Sequence, residues 1–402
     1  MSQAIVLYLH VHQPYRIRHY TALDSGNDHN YFQPDYEAPA SNERILHKVA
    51  EKSYLPTNRR LLQLAARYPA FRFSLSITGT VLEQLERWQP EALRSFQELV
   101  GTGRVEILAE TYHHSLAFFY SRDEFEAQVA MHARKVRQLF GVTPRVFRNT
   151  ELAYNNDVAY WADKAGYKGI LAEGWDPVLG WRSPNYVYRP AYTGHIRLLM
   201  KNYRLSDDIA FRFGDKAWSE WPLTAGKFVH WLNSDGQARI FNLFMDYETF
   251  GEHQWDDTGI FDFLEHLPAQ WLRQPEHTFM TVSEACDAFE PADAVDVPQT
   301  ITWADTERDL SAWLGNNLQQ QAVAALYDLQ PKILGTGDLA LIEDWRRLQA
   351  SDHLYYMCTK WSNDGDIHAY FSPYDSPYEA YINFMNAYHD LRFRLAEKGV
   401  EV

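Results

Sequence analysis

The 402-residue sequence is poor in cysteine and in positive charge, and it has no long apolar run. Its two cysteines, Cys286 and Cys358, are too few and too isolated for a disulfide framework or a thiolate metal site. The 38 Lys and Arg are outnumbered by 53 Asp and Glu, and the resulting net charge of −15 disfavours nucleic acid and anionic membranes as partners. No segment approaches the ~20 apolar residues that a membrane helix needs.

The sequence also shows no targeting signal, internal repeat or Gly/Ser-rich linker. No basic residue precedes the first apolar run, Ala4 to Leu9, and that run is shorter than the apolar core of a signal peptide. We therefore expect a cytoplasmic protein with one compact body and an appended subdomain.

Aromatic residues are abundant, with 13 Trp, 25 Tyr and 22 Phe making up 15% of the chain. Most of these rings are expected to fill the core, because each buries ~150–250 Å². The remainder could line a sugar-binding groove. The candidate stacking residues are Trp175, Trp181, Trp218, Trp221, Trp303 and Trp313.

Short apolar runs alternate with helical stretches up to about residue 290, which predicts parallel β/α units closing into an α/β barrel. After residue 300 apolar residues recur at three and four positions, which predicts helices. We expect a catalytic barrel over 1–295 and a helical subdomain over 296–402 that contributes to the substrate groove. The predicted strands are Ile5–Leu9, Phe71–Ile77, Val105–Ala109, Val146–Phe147, Gly169–Ala172, Ile196–Met200, Ile240–Met245 and Thr278–Val282.

Titratable side chains follow most of these strands, at the ends where barrel enzymes collect their catalytic groups. Because several such groups in corresponding positions are unusual by chance, they indicate an active site. The residues in question are His10, His12, Glu110, Glu151, Glu173, Asp246 and Glu284.

His10 and His12 lie two residues apart on one strand, so both side chains point to the same side of the sheet. Such a pair could bind a metal, as in metal-dependent amidohydrolases. The later strands end mainly in carboxylates, and the adjacent His113 and His114 are the only later imidazoles near a strand end. We therefore expect no metal and no cofactor, and keep the amidohydrolase as an alternative of a different class.

Carbohydrate chemistry needs two carboxyl groups on opposite sides of a glycosidic bond. Glu151 follows one buried strand, and Asp246 and Glu248 follow another. Physical reasoning leaves open which of the latter two is the partner, since both lie on one face of an extended strand. It does predict that one of the acids lies in an aromatic setting that raises its pKa.

Five segments resemble, in order, the motifs of glycoside hydrolase family 57. They are His12-Gln-Pro14, Gly103-Arg-Val-Glu-Ile-Leu-Ala-Glu110, Arg148-Asn-Thr-Glu151, Met245-Asp-Tyr-Glu-Thr-Phe-Gly-Glu-His253 and Thr281-Val-Ser-Glu284. Trp303-Ala-Asp-Thr306 and the segment from His368 to Ala380 resemble the helical region of the family's short α-amylase branch. The resemblance covers almost the whole chain.

This resemblance implies an incomplete TIM-like (β/α)7 barrel followed by a C-terminal helical bundle. By motif position it also implies that Glu151 is the nucleophile and Asp246 the general acid/base. Substrate-binding roles are expected for the other motif residues and for the Trp- and acid-rich segment after the barrel. These residues are His10, His12, Gln13, Glu248, His253, Trp303, Asp305 and Trp313.

The predicted function is that of a retaining α-amylase acting on α-1,4-glucans and maltooligosaccharides. A 4-α-glucanotransferase with the same residues is an alternative, because a glycosyl-enzyme can pass its sugar to a second glucan. A non-catalytic glucan-binding protein is a further alternative, and it predicts binding without turnover.

Overall fold

The computed structural model describes residues 3–360 and 365–401, which pack as two units. The first unit comprises the chain up to His12, His47–Glu110 and His132–Trp303, and the second comprises Gln13–Leu46, Thr111–Met131 and the chain from Ala304. The last boundary between the units lies after Trp303, eight residues later than the predicted domain boundary after residue 295. The second unit also includes two segments, Gln13–Leu46 and Thr111–Met131, from the part of the chain predicted to form the barrel.

Ten strands are found in the described residues, and all of them belong to the first unit. Every predicted strand is present, with ends that differ by a few residues. The strands are β1 (Gln3–Val11), β2 (Phe73–Ile77), β3 (Val105–Ile107), β4 (Val146–Phe147), β5 (Gly169–Glu173), β6 (Val187–Pro190), β7 (Arg197–Lys201), β8 (Ile240–Asp246), β9 (His277–Phe279) and β10 (Ala294–Val295).

Seven parallel strands run in the order β8-β1-β2-β3-β4-β5-β7. A single parallel bridge, Ala109 to Phe147, joins the sheet that ends in β3 to the sheet that begins with β4. In the described part of the chain no ladder closes β7 onto β8, although the Asn202 N–H donates to the Asn242 carbonyl at 2.9 Å. The fold is therefore α/β with an incomplete barrel, as predicted.

Strand β6 was not predicted, and it pairs with β7 in the antiparallel direction. Its sequence, Val-Tyr-Arg-Pro, lacks the continuous apolar run by which strands buried on both faces are recognised. Strand β10, which pairs with β6, was not predicted either.

Eleven α-helices begin before residue 304, and seven follow it among the described residues. The first set is α1 (Asn42–Val49), α2 (Leu55–Arg67), α3 (Gly79–Trp88), α4 (Pro90–Gly101), α5 (Arg122–Phe140), α6 (Asn156–Lys164), α7 (Asp176–Leu179), α8 (Tyr203–Ala210), α9 (Ala225–Ser234), α10 (Ile260–Trp271) and α11 (Val282–Ala288). The second set is α12 (Ser311–Leu314), α13 (Asn317–Asp328), α14 (Gln330–Thr336), α15 (Leu339–Arg347), α16 (Ser351–Tyr355), α17 (Gly365–Phe371) and α18 (Pro377–Glu397).

The core of the first unit lies along β1, whose nine residues are all buried. Side chains of β1 pack inside with apolar side chains of β5, β7 and β8, including Leu171, Leu199 and Phe244. Burial on both faces explains why these strands are nearly continuous apolar runs.

The second unit contains only helices and loops among its described residues. Trp313 and Trp345 are among its largest buried side chains. The buried carboxylate of Asp390 on α18 accepts hydrogen bonds from the Gly26 N–H and the Tyr31 hydroxyl, which ties the early segment to this helix. Among the described residues, none of the helices combines the length and the hydrophobicity that a bilayer span demands.

Candidate active site

Strands β1 and β8 bring two of the predicted residues side by side. In their parallel register His10 lies opposite Asp246. Nδ1 of His10 is 3.6 Å from Oδ1 of Asp246, and Nε2 of the same ring is 3.2 Å from Oε2 of Glu110. His10 is therefore fixed between carboxylates from β8 and from the end of β3.

A buried cation lies beneath these acids. The Arg148 side chain is 0% exposed, and its Nη1 is 3.7 Å from Oε2 of Glu110. None of its three guanidinium nitrogens has a hydrogen-bond partner among the described residues. Arg148 therefore interacts with Glu110 and Asp246 through its charge.

The charges around Asp246 set the state of its carboxyl group. Burial desolvates this carboxyl group and raises its pKa, whereas the hydrogen bond and the charge of His10 lower the pKa. The charges of His253 and Arg148 act in the same direction, and the pKa of Asp246 is lowered below its usual value. Its side chain remains 39% exposed, so a ligand can reach it.

Glu151 follows β4 in a short 3₁₀ turn, Thr150–Leu152, with an unusual backbone conformation. Glu151 and Leu152 both have positive φ, at 57° and 51°. Non-glycine residues rarely adopt this region, and when they do the surroundings hold them there. The Trp303 indole N–H donates to Oε2 of Glu151 at 2.9 Å, and the Trp303 backbone N–H donates to the Glu151 carbonyl at 3.3 Å.

The Trp303 ring is surrounded by polar and charged groups. Its centroid is 4.9 Å from the guanidinium carbon of Arg148 and 5.6 Å from Nζ of Lys201. The His10 ring packs edge-on at 6.2 Å. Trp303 therefore joins Glu151 to the groups that surround Asp246.

Glu248 is buried in an aromatic setting. The Tyr54 hydroxyl donates to its Oε1 at 2.5 Å, and Tyr54, Phe96 and Tyr247 contact one another with centroids 5.3–6.0 Å apart. Burial, together with the charge of Asp246, raises the pKa of Glu248 to about 8. The predicted acid with a raised pKa is thus Glu248, whereas the pKa of Asp246 moves the other way.

A π-helix places Tyr54 against Glu248. Residues Ala50–Tyr54 form this segment, and the loop after β8 approaches it closely at Gly251. Gly251 has φ +104°, and a Cβ there would be 2.0 Å from the Lys52 carbonyl oxygen. Only glycine allows this approach.

His12 and His253 complete the candidate site in the first unit. The His12 ring is stacked on His10 at 5.8 Å, and its Nδ1 is 2.8 Å from Oγ1 of Thr78, the N-cap residue of α3. The His12 backbone N–H donates to Glu248 at 3.4 Å. Burial lowers the pKa of His253 despite the nearby charge of Asp246.

Three predicted binding residues, Gln13, Asp305 and Trp313, belong to the second unit. Oε1 of Gln13 accepts a hydrogen bond from Arg16 at 2.9 Å. Asp305 contacts Nζ of Lys360 at 2.7 Å and Nε2 of His368 at 3.2 Å. Trp313 is 1% exposed and packs beside Tyr355, a burial typical of a core residue and not of a stacking surface. By contrast, Trp181 and Trp221 are 84% and 42% exposed.

Two other strand-end acids have structural partners. Glu284 completes a capping box at the start of α11 and pairs with Arg72 at 3.0 Å. Glu173 is buried 3.8 Å from Nζ of Lys201.

Sequence reasoning missed the site roles of Tyr54, Thr78, Arg148 and Lys201. Arg148 lies inside a quoted motif, so its position three residues before Glu151 was an available signal. Tyr54 and Thr78 carry no comparable signal, because their distance from Glu248 and His12 along the chain hides the contact.

Comparisons with known proteins agree on one family. The glycosyl hydrolase family 57 profile matches residues 6–298. A predicted α-amylase of Methanocaldococcus jannaschii is 41% identical over 398 residues, which cover 96% of this chain and 84% of that one.

Solved structures with 13% and 16% identity share the fold. A family 57 branching enzyme of Thermococcus kodakaraensis, in complex with glucose and additives, has a TM-score of 0.69 over 92% of this chain and 88% of its own. A 4-α-glucanotransferase of Thermococcus litoralis has a TM-score of 0.62 over 88% of this chain. The match spans 56% of the glucanotransferase.

Proposed function

This chain belongs to glycosyl hydrolase family 57, and from that membership we propose that it hydrolyses α-1,4-glucans as a retaining α-amylase. The observation that carries the proposal is that Glu151, at the end of β4, contacts Trp303, whose ring packs against His10, the partner of Asp246 at the ends of β1 and β8. Glu151 and Asp246 follow different strands, and the proposed reaction needs two carboxyl groups that flank the glycosidic bond.

The proposed reaction has two displacements. Asp246 gives its proton to the glycosidic oxygen as that oxygen leaves, and Glu151 attacks the anomeric carbon to form a β-glycosyl-enzyme. Asp246 then takes a proton from water as the water oxygen attacks the same carbon and Glu151 departs. The products are two shorter glucans, and the configuration at the cleaved carbon is retained.

Asp246 must carry a proton when the sugar is bound, although its pKa is lowered in the free protein. A bound glucan would cover its exposed side chain and remove water, which favours the neutral acid. We propose that substrate binding supplies this change. His10 and His12 then contact hydroxyl groups of the sugar at the point of cleavage, with Glu248 and His253 beside them.

The nucleophile assignment is tested by Glu151→Gln and by Glu151→Ala with added azide. We expect Glu151→Gln to lose turnover and keep its fold. Azide should restore cleavage of an activated α-glucoside by Glu151→Ala and give the β-glycosyl azide, because it attacks in place of the carboxylate. Glu284→Gln is the matched control, since this strand-end acid caps a helix. Near wild-type activity in Glu151→Gln would refute the assignment.

A 4-α-glucanotransferase is the second candidate, favoured by the fold shared with the enzyme of that name from Thermococcus litoralis. Both reactions pass through the same glycosyl-enzyme and differ in whether water or a second glucan accepts the sugar. A maltooligosaccharide of one defined length separates them. Products longer than the input indicate transfer, whereas only shorter products indicate hydrolysis.

The remaining predictions concern binding groups and metal. Gln13 and Asp305, and with them the predicted C-terminal helical bundle, stay proposed contributors to the substrate groove, whereas Trp313 is buried in the core of the second unit. We also propose that the reaction needs no metal. Activity should survive long dialysis against a chelator, and loss that zinc restores would favour the amidohydrolase alternative.

A further inference from the structure

Trp303 lies against the candidate nucleophile, and we propose that it is the positioning residue that orients the Glu151 carboxylate and keeps it ionised. This inference rests on the proposed role of Glu151 as nucleophile. It gives Trp303 a function in the chemical step, whereas the sequence suggested a surface on which sugars stack.

Trp303 forms hydrogen bonds with both the side chain and the main chain of Glu151. The indole N–H of Trp303 donates to Oε2 of the carboxylate at 2.9 Å, and its backbone N–H donates to the Glu151 carbonyl at 3.3 Å. Ile301, two residues before Trp303, and Tyr154, three residues after Glu151, exchange backbone hydrogen bonds of 2.9 Å. The segment that ends in Trp303 is therefore paired with the segment that begins at Glu151.

This pairing explains the unusual backbone conformation of the turn Thr150–Leu152, which carries Glu151. Glu151 and Leu152 have φ values of 57° and 51°, a conformation that costs energy for residues with a side chain. The antiparallel contact with residues 301–303 stabilises it. The side chain of Glu151 is thus aimed by its main chain and fixed at its end by the indole.

Buried cations fix the orientation of the indole ring. Arg148 and Lys201 lie 4.9 and 5.6 Å from its centroid, and both are buried. Cations are attracted to the face of an indole, and the attraction strengthens when water is excluded. Lys201 is in turn held by Asp207, at 2.9 Å. Rotation of the ring would break these contacts, so its N–H stays directed at Glu151.

The chemical consequence follows from the charge of the acceptor. A hydrogen bond donated to a carboxylate stabilises the ionised form over the neutral form. A nucleophile that must be ionised before each turnover benefits directly. Loss of this one N–H should therefore move the acidic limb of the pH profile and lower the rate, with little effect on how sugars bind.

The test compares Trp303→Phe with Trp271→Phe. Phenylalanine keeps an aromatic ring near the two cations but has no N–H. Trp271 is a matched control, because it is buried in the same unit and its indole N–H donates to the Thr278 carbonyl at 2.7 Å. Substrates are maltooligosaccharides of defined length, and circular dichroism measures the folded fraction.

For Trp303→Phe we expect the pKa that limits kcat/KM on the acidic side to increase by about one pH unit. We also expect kcat to fall ~10–100-fold and KM to change by less than about twofold. Trp271→Phe should lower the melting temperature and leave the limb in place. Trp303→His should recover part of kcat, because Nε2 of histidine takes the place of the indole nitrogen. This second variant also keeps the test valid if phenylalanine unfolds the protein.

Four results would overturn the inference. A raised KM with an unmoved acidic limb identifies a stacking surface. A shift of the same size in Trp271→Phe identifies a general loss of rigidity. Equal kcat values for the phenylalanine and histidine variants show that the N–H is unimportant. The proposed function fails separately, through an active Glu151→Gln, whereas inactive Glu151→Gln with unaffected Trp303→Phe removes this inference alone.

Discussion

Asp246 and Glu248 lie two residues apart, yet their surroundings move their pKa values in opposite directions. Asp246 contacts His10 and lies near the positive charge of Arg148, both of which favour the ionised form. Glu248 lies behind it among Tyr54, Phe96 and Tyr247, where burial favours the neutral form. Two adjacent carboxyl groups with different proton affinity are typical of sites that separate the roles of their acids.

The raised pKa of Glu248 predicts a pH-dependent stability. In the unfolded chain this group ionises near its usual pKa of about 4.5, whereas in the folded protein it stays protonated up to about 8. The stabilisation is therefore complete below pH ~4.5 and is lost as the pH rises through ~8. The melting temperature of Glu248→Gln relative to wild type should increase from pH 5 to pH 8. Glu284→Gln, the control, should show no such trend.

The contributions of Arg148 and Glu110 to the free energy of unfolding should be coupled. Removing one partner of a buried ion pair leaves an uncompensated charge and costs ~3–5 kcal/mol of unfolding free energy. Arg148→Met and Glu110→Gln should each destabilise the protein by such an amount, and the double variant by clearly less than their sum. Urea unfolding measures all three. Additive losses would show that the 3.7 Å contact does not couple the two charges.

At the scale of elements, the π-helix Ala50–Tyr54 and the loop after β8 form one support for the site. The helix carries Tyr54, the loop carries Gly251, and the two backbones approach more closely than a Cβ allows. π-Helical turns are rare and often occur at functional sites. Here the segment delivers a hydroxyl group to Glu248.

Gly251→Ala should therefore disrupt both stability and activity. The added methyl group would meet the Lys52 carbonyl at 2.0 Å, so the loop and the π-helix must separate. We expect a loss of several kcal/mol, on the order of a severe steric clash, together with reduced kcat. Gly226→Ala is the control, since nothing lies within 4 Å of its Cβ in α9, and it should stabilise by ~0.5–1 kcal/mol. Equal melting temperatures for both variants would contradict this account.

At the scale of the whole molecule, the net charge of −15 bears on which glucans are accepted. An uncharged sugar chain experiences no long-range steering, whereas an anionic polymer is repelled until salt screens the charges. We expect kcat/KM for neutral maltooligosaccharides to change less than about twofold between about 10 and about 500 mM salt. Cleavage of carboxymethyl amylose should be slow at low salt and faster at high salt. A strong salt effect on the neutral substrate would contradict the expectation.

The strands of the barrel were determined by the local sequence. Runs such as Ile5–Leu9 are apolar throughout because both faces of the strand are buried, and that property is visible without any partner. The positions of His10, Glu151 and Asp246 at strand ends follow from the same pattern. Strand β6 was not predictable in this way, because Arg189 and Pro190 interrupt its apolar character.

Only the tertiary structure decided which side chains meet at those ends. The bond from Trp303 to Glu151 spans 152 residues, and the bond from Tyr54 to Glu248 spans 194. The sequence predicted that one acid has a raised pKa but not which one, since burial and neighbouring charge set that value. Both are properties of the folded environment, created when separate strand ends converge, and no local pattern encodes them.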